Sequence, residues 1–273
     1  MTKKYGIIGN PIKHSLSPTL HNYWFEKYKI DANYSIIEIG NNELPNLINR
    51  IKNKDLIGIN ITLPYKQKIV PHIDVLINDA EITSSVNTVF LDDKGTIVGE
   101  NTDVFGLQAA YLKEVDNISR RNALVIGAGG VSPSVILSLE KCGVKNISIT
   151  NRTEDKCIFL KKKFKYLNIV KWANLKNELK NYDIIINATS LGLKNGQEFN
   201  FNFDQVKSSL IYIDTIYNPL ETKTFKYLKE KNIRVFNGLE MFIYQGQKAF
   251  YLWTKVNPEI DQKLIELLLS KLK

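Results

Sequence analysis

Short apolar runs alternate with amphipathic stretches along the whole chain. Runs rich in Ile, Val and Tyr predict strands at Tyr5–Ile8, Tyr34–Ile39 and Ile57–Thr62. Helical spacing of apolar residues predicts helices over Pro18–Tyr28 and Glu43–Asn53. Val86–Leu91 and Thr96–Gly99, joined by Asp92-Asp93-Lys94-Gly95, predict a hairpin. A second series of strands begins at Ala123–Ile126. It continues near Asn146–Thr150, Asp183–Asn187, Leu210–Asp214 and Arg234–Phe236, with helices between, for instance near Val131–Cys142 and Glu154–Phe164. Such alternation predicts parallel sheets covered by helices. From Gly238 onward Leu239, Phe242, Ile243, Gly246, Phe250 and Trp253 recur at helical spacing, and a final helix is expected over Pro258–Leu272. No repeat or low-complexity linker separates the two series, so the boundary near Asp103–Asn122 rests on topology alone.

Composition narrows the class. The chain has 273 residues, enough for two modest domains, with 44% hydrophobic and 24% charged residues. No apolar run is long enough to span a bilayer, and Met1-Thr2-Lys3-Lys4-Tyr5 is too short and polar for a secretory signal. No membrane association is expected, and the cytoplasm is the expected compartment. Cys142 and Cys157 offer neither a disulfide framework nor metal-ligand spacing, so no metal is expected. The net charge is +9, mostly from lysines spread along the chain. The densest run, Lys161-Lys162-Lys163-Phe164-Lys165, falls in a helical pattern and reads as a solvated face. Nucleic acid is therefore not an expected partner. The positive field favours an anionic small-molecule substrate and a phosphorylated cofactor.

The strand Ala123–Ile126 runs into Gly127-Ala128-Gly129-Gly130-Val131, and a helix follows. Glycines there keep the turn tight and let the backbone approach a pyrophosphate at the helix N-terminus. Ser132 stands where a third glycine is usual, and Pro133 falls in the first helical turn. The context predicts dinucleotide binding. The next strand ends at Asn151-Arg152-Thr153, followed by Lys156. An NAD enzyme usually carries a carboxylate here for the ribose 2′-OH. A guanidinium, an amide and a hydroxyl instead suit a 2′-phosphate, which predicts NADP(H). The competing reading makes Arg152 a surface residue before a helix capped by Thr153.

Three polar clusters mark the other half. The loop Gly9–Pro18 carries Ser15 and Ser17, two hydroxyls at one mouth of the sheet; Ser17 is equally placed to cap a helix. In Gly58–Lys66, Asn60 and Thr62 share one strand face, and Lys66 follows at the carboxyl end, where open α/β sheets bind ligands. The third cluster joins Ser85–Thr88, with Asn87, to Gly99–Asp103. Asp103 is also a candidate helix N-cap.

Taken together, GNPIKHSLSPTLHN, GINITLPYK, SVNT, GENTDVFG, GAGG, NRT, NATSLG, YNPLET and NGLEMFIYQG, in that order, resemble the shikimate dehydrogenase family. The resemblance runs from near residue 6 to about residue 250. It implies an α/β fold in which an N-terminal open α/β substrate domain is joined to a Rossmann-type dinucleotide-binding domain. Residues 1–103 and 239–273 would form the first, with C-terminal helices returning to it, and 104–238 the second. It implies reversible NADPH-dependent reduction of 3-dehydroshikimate to shikimate, on the route to chorismate and the aromatic amino acids. By resemblance, Lys66 and Asp103 are the catalytic pair. Ser15 and Ser17 hold the substrate carboxylate, with Tyr217 near it. Asn60, Thr62, Asn87, Asp103 and Gln245 hold hydroxyls and the reacting oxygen. Gly127, Ala128, Gly129, Gly130, Val131, Asn151, Arg152, Thr153 and Lys156 cradle the cofactor, and Thr215 and Gly238 line its nicotinamide side. A monomer or homodimer is expected. The chain departs from the family's habit at Ser84-Ser85, often Gly-Ala, at Ser132-Pro133-Ser134, often Ala or Arg, and at Asn78, often acidic. Two other readings remain: a relative that also oxidises quinate, with relaxed cofactor use, and a dinucleotide-binding sensor without activity.

Overall fold

The alternation of short β-branched runs with amphipathic helices builds two α/β units. The computed structural model describes residues 2–40, 42–193 and 196–272. Its first unit comprises Met1–Asp103 and Ile243–Lys273, its second Val104–Phe242. The elements of the first stretch are β1 (Lys3–Ile8), α1 (Ser17–Lys27), β2 (Ala32–Ile36), α2 (Leu44–Lys52), β3 (Gly58–Ile61), β4 (Val75–Leu76), α3 (Asp79–Thr83), β5 (Thr88–Leu91), β6 (Ile97–Glu100) and α4 (Asp103–Ala110). They continue with β7 (Asn122–Ile126), α5 (Ser132–Lys141), β8 (Asn146–Thr150), α6 (Glu154–Lys163), β9 (Asn168–Ile169), α7 (Leu175–Glu178), β10 (Ile184–Asn187), β11 (Ile211–Asp214), α8 (Lys223–Glu230) and β12 (Arg234–Phe236). Two helices close the chain, α9 (Leu239–Thr254) and α10 (Gln262–Ser270).

The sheet of the first unit has the order β2-β1-β3-β5-β6-β4. β1 pairs parallel with β2 and β3, whereas β5 runs antiparallel to β3 and β6. The sheet is therefore mixed, because the hairpin reverses the chain. Asp92 makes that reversal tight: its Oδ1 accepts from Lys94 N and Thr96 N at 2.9 and 2.8 Å, and Gly95 sits at φ +80°. Alternation along the strands sends Ile8, Ile59, Ile61 and Val89 into a core with Leu47, Ile48 and Ile51 of α2. The opposite face carries an aromatic cluster in which Trp24, Tyr34, Phe250 and Trp253 surround His21, with Tyr5 packed on Trp253 and Phe25 on Phe250. The C-terminal segment is fastened to α1. Asp261 caps α10 through Leu264 N and accepts from Tyr23 Oη at 2.8 Å and Lys27 Nζ at 2.5 Å, and Trp24 Nε1 donates to Glu259 O.

The second unit is a six-stranded sheet in the order β12-β11-β10-β7-β8-β9, parallel throughout. The order reverses direction between β7 and β10. Ligands of such sheets bind at the carboxyl ends beside that switch point. Leu124, Ile126, Ile185, Tyr212, Leu175 and Leu228 anchor its core. Among the described residues, no helix is long and apolar enough to cross a membrane.

Element ends shift slightly from the sequence expectation. β2 covers Ala32–Ile36 rather than Tyr34–Ile39, because its register starts at Lys3↔Ala32 and β1 ends at Ile8. The last helix starts at Gln262 rather than Pro258, where the Asp261 cap begins it.

Candidate active site

In the first unit, a buried polar cluster forms at the carboxyl end of β3. Lys66 follows that strand, 9% exposed, and Asp103 opens α4, 5% exposed. Lys66 Nζ donates to Asp103 Oδ2 at 2.5 Å. Asn87 Nδ2 donates to the other carboxylate oxygen at 2.8 Å, so both oxygens are engaged. The carboxylate is thus committed to Lys66 and Asn87, while Asn101 Oδ1 accepts from the Asp103 backbone N–H at 3.2 Å. Gln245 of α9 joins the cluster, its Oε1 at 3.4 Å from Asn87 Nδ2.

Asn60 lies on the aromatic face of β3, buried. Its Oδ1 accepts from Tyr34 Oη at 2.8 Å, and its Nδ2 donates to Asn87 O and Thr88 Oγ1, each at 3.1 Å. The amide therefore ties three strands together. Thr62 is half-buried just beyond the strand, with its N–H bonded to Ile8 O. Ser15 and Ser17 stand together: Ser15 Oγ donates to Ser17 Oγ and accepts from Ser17 N, both at 3.2 Å. Ser17 does not cap α1, because it is already the first helical residue and Leu16 holds the cap position. Tyr217, the remaining substrate candidate, lies in the second unit with its ring 4.8 Å from that of Phe242.

The cofactor candidates gather at the carboxyl ends of β7, β8 and β11. Gly127 has φ +115°, and a Cβ there would lie 2.7 Å from Ala188 O at the end of β10. Only glycine permits that approach. A Cβ on Gly129 would meet nothing within 4 Å, so an added side chain would project into the cradle before α5. Ser132 occupies the position of the usual third glycine, and its Oγ accepts from Gly129 N at 2.9 Å and closes the turn. Asn151 Oδ1 accepts from Ala128 N at 3.3 Å, joining the loops after β7 and β8, and Asn151 Nδ2 donates to Thr153 O. Arg152 and Lys156 are exposed, and Arg152 Nη1 donates to the neutral Gln197 Oε1 at 2.9 Å. Thr153 occupies the cap position of α6 without a side-chain cap bond. Thr215 Oγ1 donates to Asn187 O, and Gly238 N donates to Ile216 O. These residues fit a dinucleotide: a tight turn, a helix N-terminus, and a cation at the end of the second strand.

The chain matches the shikimate dehydrogenase substrate-binding domain over residues 7–89, shikimate / quinate 5-dehydrogenase over 110–216 and the shikimate 5′-dehydrogenase C-terminal domain over 238–262. A shikimate dehydrogenase (NADP(+)) of Pelagibacter ubique is 45% identical, covering 98% of this chain and 99% of its own. The chain belongs to the shikimate dehydrogenase family. Among solved structures, the family's enzyme from Thermus thermophilus, in complex with NADP(H) and shikimate, superposes with TM-score 0.88 at 28% identity over 99% of this chain and 100% of that one. A quinate dehydrogenase from Corynebacterium glutamicum in complex with NAD gives 0.89 at 25% identity over 98% and 99%.

Two family departures acquire a structural meaning. Ser84, where relatives often carry glycine, ends α3 in the left-handed region at φ 49°, ψ 42°. A side chain there costs about 1 kcal/mol. Ser84→Gly is expected to stabilise the fold by about 0.5 kcal/mol after the larger unfolded-state entropy of glycine is subtracted. Urea denaturation checks it, and a destabilised variant would show that the serine side chain outweighs the strain. Asn78, often acidic in relatives, donates through Nδ2 to Glu100, whose carboxyl burial pushes above the usual range.

Sequence reasoning assigned no role to Thr88, Thr102, Tyr34 or His21. Thr88 and Thr102 lie inside recognised polar clusters, yet only strand pairing reveals that both hydroxyls reach Asn87 Oδ1. Asp214 was missed likewise. It is buried at the end of β11 and accepts from Asn187, Ile216 N and Thr222, and burial pushes its carboxyl up to about 6.

Proposed function

We propose that this chain interconverts shikimate and 3-dehydroshikimate with NADP(H), a step on the route to the aromatic amino acids. The observation that carries the reading is the buried Lys66–Asp103 pair at 2.5 Å, held by Asn87 at the carboxyl end of β3. In this reading residues 1–103 and 239–273 bind the substrate and 104–238 bind the cofactor.

NADP, when bound, supplies or takes up the hydride. The residues of the chain handle everything else. The hydroxyls of Ser15 and Ser17, already facing each other, receive the substrate carboxylate, with Tyr217 assigned near it. Thr62, Asn87 and Gln245 receive ring hydroxyls, and Asn60 holds the strand framework beneath them. Lys66 as an ammonium donates a proton to the carbonyl oxygen during reduction, and as an amine takes it back during oxidation. Asp103 keeps the ammonium in place through the bond at 2.5 Å. Gly127, Ala128, Gly129, Gly130 and Val131 receive the pyrophosphate. Asn151, Arg152, Thr153 and Lys156 receive the adenosine end, and Thr215 and Gly238 line the nicotinamide side.

The test is turnover of purified protein with shikimate and either NADP or NAD, followed by the absorbance of reduced nicotinamide. Rapid NADPH formation with slow NADH formation is expected. No turnover from a folded protein that binds NADP would overturn the substrate assignment. Faster turnover of quinate than of shikimate would move the chain to the quinate branch of the family.

Arg152 carries the cofactor preference. Among the described residues its guanidinium donates to a neutral amide, so its charge is available for a charge-assisted contact. Arg152→Ala is expected to raise KM for NADP about tenfold, the value of one such contact, with little change for NAD. Equal losses with both cofactors would assign Arg152 to structure rather than to the 2′-phosphate.

A further inference from the structure

A directed chain of hydrogen bonds ends on Asp103, and its direction follows from two backbone groups. Thr102 N–H can only donate, and it points at an Asn87 side-chain atom 2.8 Å away. That atom is therefore Oδ1, and Nδ2 faces Asp103 Oδ1. Asn87 O can only accept, and it lies 3.1 Å from an Asn60 side-chain atom. That atom is therefore Nδ2, and Asn60 Oδ1 faces Tyr34 Oη. Thr88 Oγ1 sits between the two amides. It lies 3.1 Å from Asn60 Nδ2, from which it accepts, and 3.0 Å from Asn87 Oδ1. Thr102 Oγ1 lies farther off, at 3.4 Å, so the single proton of Thr88 goes to the nearer acceptor, Asn87 Oδ1. Thr88 is 0% exposed, so no solvent replaces that proton, and without it Asn87 Oδ1 keeps only the Thr102 N–H and hydroxyl as donors among the described residues.

We propose that Thr88 is a positioning residue: its hydroxyl orients the Asn87 amide and, through it, the Asp103 carboxylate that holds Lys66. It touches neither Lys66 nor Asp103 in the bonds described above and acts through Asn87. Strand pairing makes this possible, since β3 and β5 set Asn60 directly opposite Thr88. Every donor along the path points toward the carboxylate, so the bonds polarise one another in one direction. The inference rests on the reading of Lys66 as the proton-transfer group.

Thr88→Val keeps the shape of the side chain and removes the hydroxyl; Thr88→Ser restores the hydroxyl and removes the methyl. Thr88→Val is expected to lower kcat about tenfold, the lower range of a misplaced acid–base group, with KM for NADP unchanged. A second readout needs no turnover: the side-chain amide resonances of Asn87, assigned by their loss in Asn87→Ala, shift in Thr88→Val because Asn87 Oδ1 loses a donor. Thr88→Ser returns both quantities toward wild type. Circular dichroism and NADP binding report folding, and Thr88→Ala replaces Thr88→Val if the valine form does not fold. A wild-type kcat with unshifted Asn87 amide resonances in Thr88→Val overturns the proposal. Equal impairment in Thr88→Ser overturns it too, since the effect then belongs to methyl packing. If wild type fails to turn over shikimate, the functional reading falls, and the Asn87 resonances still decide the role of Thr88.

Discussion

Lys66→Ala lowers kcat for shikimate oxidation with NADP about a hundredfold or more. A positioned acid–base group contributes about that much, and no other buried cation contacts Asp103 in the bonds described above. KM for NADP changes little, because the cofactor candidates after β7 and β8 lie in the other unit. The substitution has a second consequence. It strands the Asp103 carboxylate, 5% exposed, with Asn87 as its shown partner. Breaking a buried pair from one side costs about 3–5 kcal/mol in stability, more than the pair itself contributes. The double change Lys66→Ala with Asp103→Asn removes the stranded charge. It is expected to recover most of the lost stability and none of the lost kcat. Steady-state kinetics and urea denaturation on the three proteins separate the two effects. A kcat within about threefold of wild type in Lys66→Ala would sink the assignment, since a general acid is worth far more.

The second large effect concerns acid stability and arises from His21. The imidazole is 1% exposed and stacks on Tyr34 at 4.5 Å between ring centroids, with Trp24, Phe250 and Trp253 around it. Among the described residues its Nδ1 has no hydrogen-bond partner. Burial pushes its pKa down from 6.5 to about 3, against a smaller opposing contribution from Asn60. The folded-state pKa lies below the unfolded one, so the folded state resists protonation. The resulting stabilisation is fully present above about pH 6.5 and is lost as pH falls toward 3. At 1.36 kcal/mol per unit, the loss reaches about 5 kcal/mol over that window. His21→Phe is expected to lack this slope. Packing a larger ring into the cluster lowers its stability by a similar amount at every pH, which leaves the slope readable. Denaturant unfolding of both proteins at pH 7, 5.5 and 4 makes the comparison. Parallel pH profiles would show that His21 is not what acid attacks.

Much of the site was legible because its chemistry is local in sequence. Lys66 trails the strand that carries Asn60, and the glycine turn lies between a strand and a helix, so short spacings convey the geometry. The alternatives of helix capping were also local, and local detail decided them. Ser17 is already inside α1, and the Asp103 carboxylate is taken by Lys66 and Asn87. His21 was not legible, although it sits in a quoted motif. A histidine on the apolar face of a helix reads the same whether its ring is solvated or enclosed by rings from α9.

By itself, the sequence determined the order of strands and helices, the glycine turn with Arg152 after the next strand, and the family. Each depends on neighbours a few residues apart, where periodicity and steric rules act directly. The tertiary structure alone decided that β5 pairs antiparallel with β3, and that Asn60 meets Thr88 from 28 residues away. It alone decided the direction of the hydrogen bonds reaching Asp103. Register between distant strands is set by which faces are buried together, and a shift of one residue would send Thr88 to the opposite face and break its bonds to both amides.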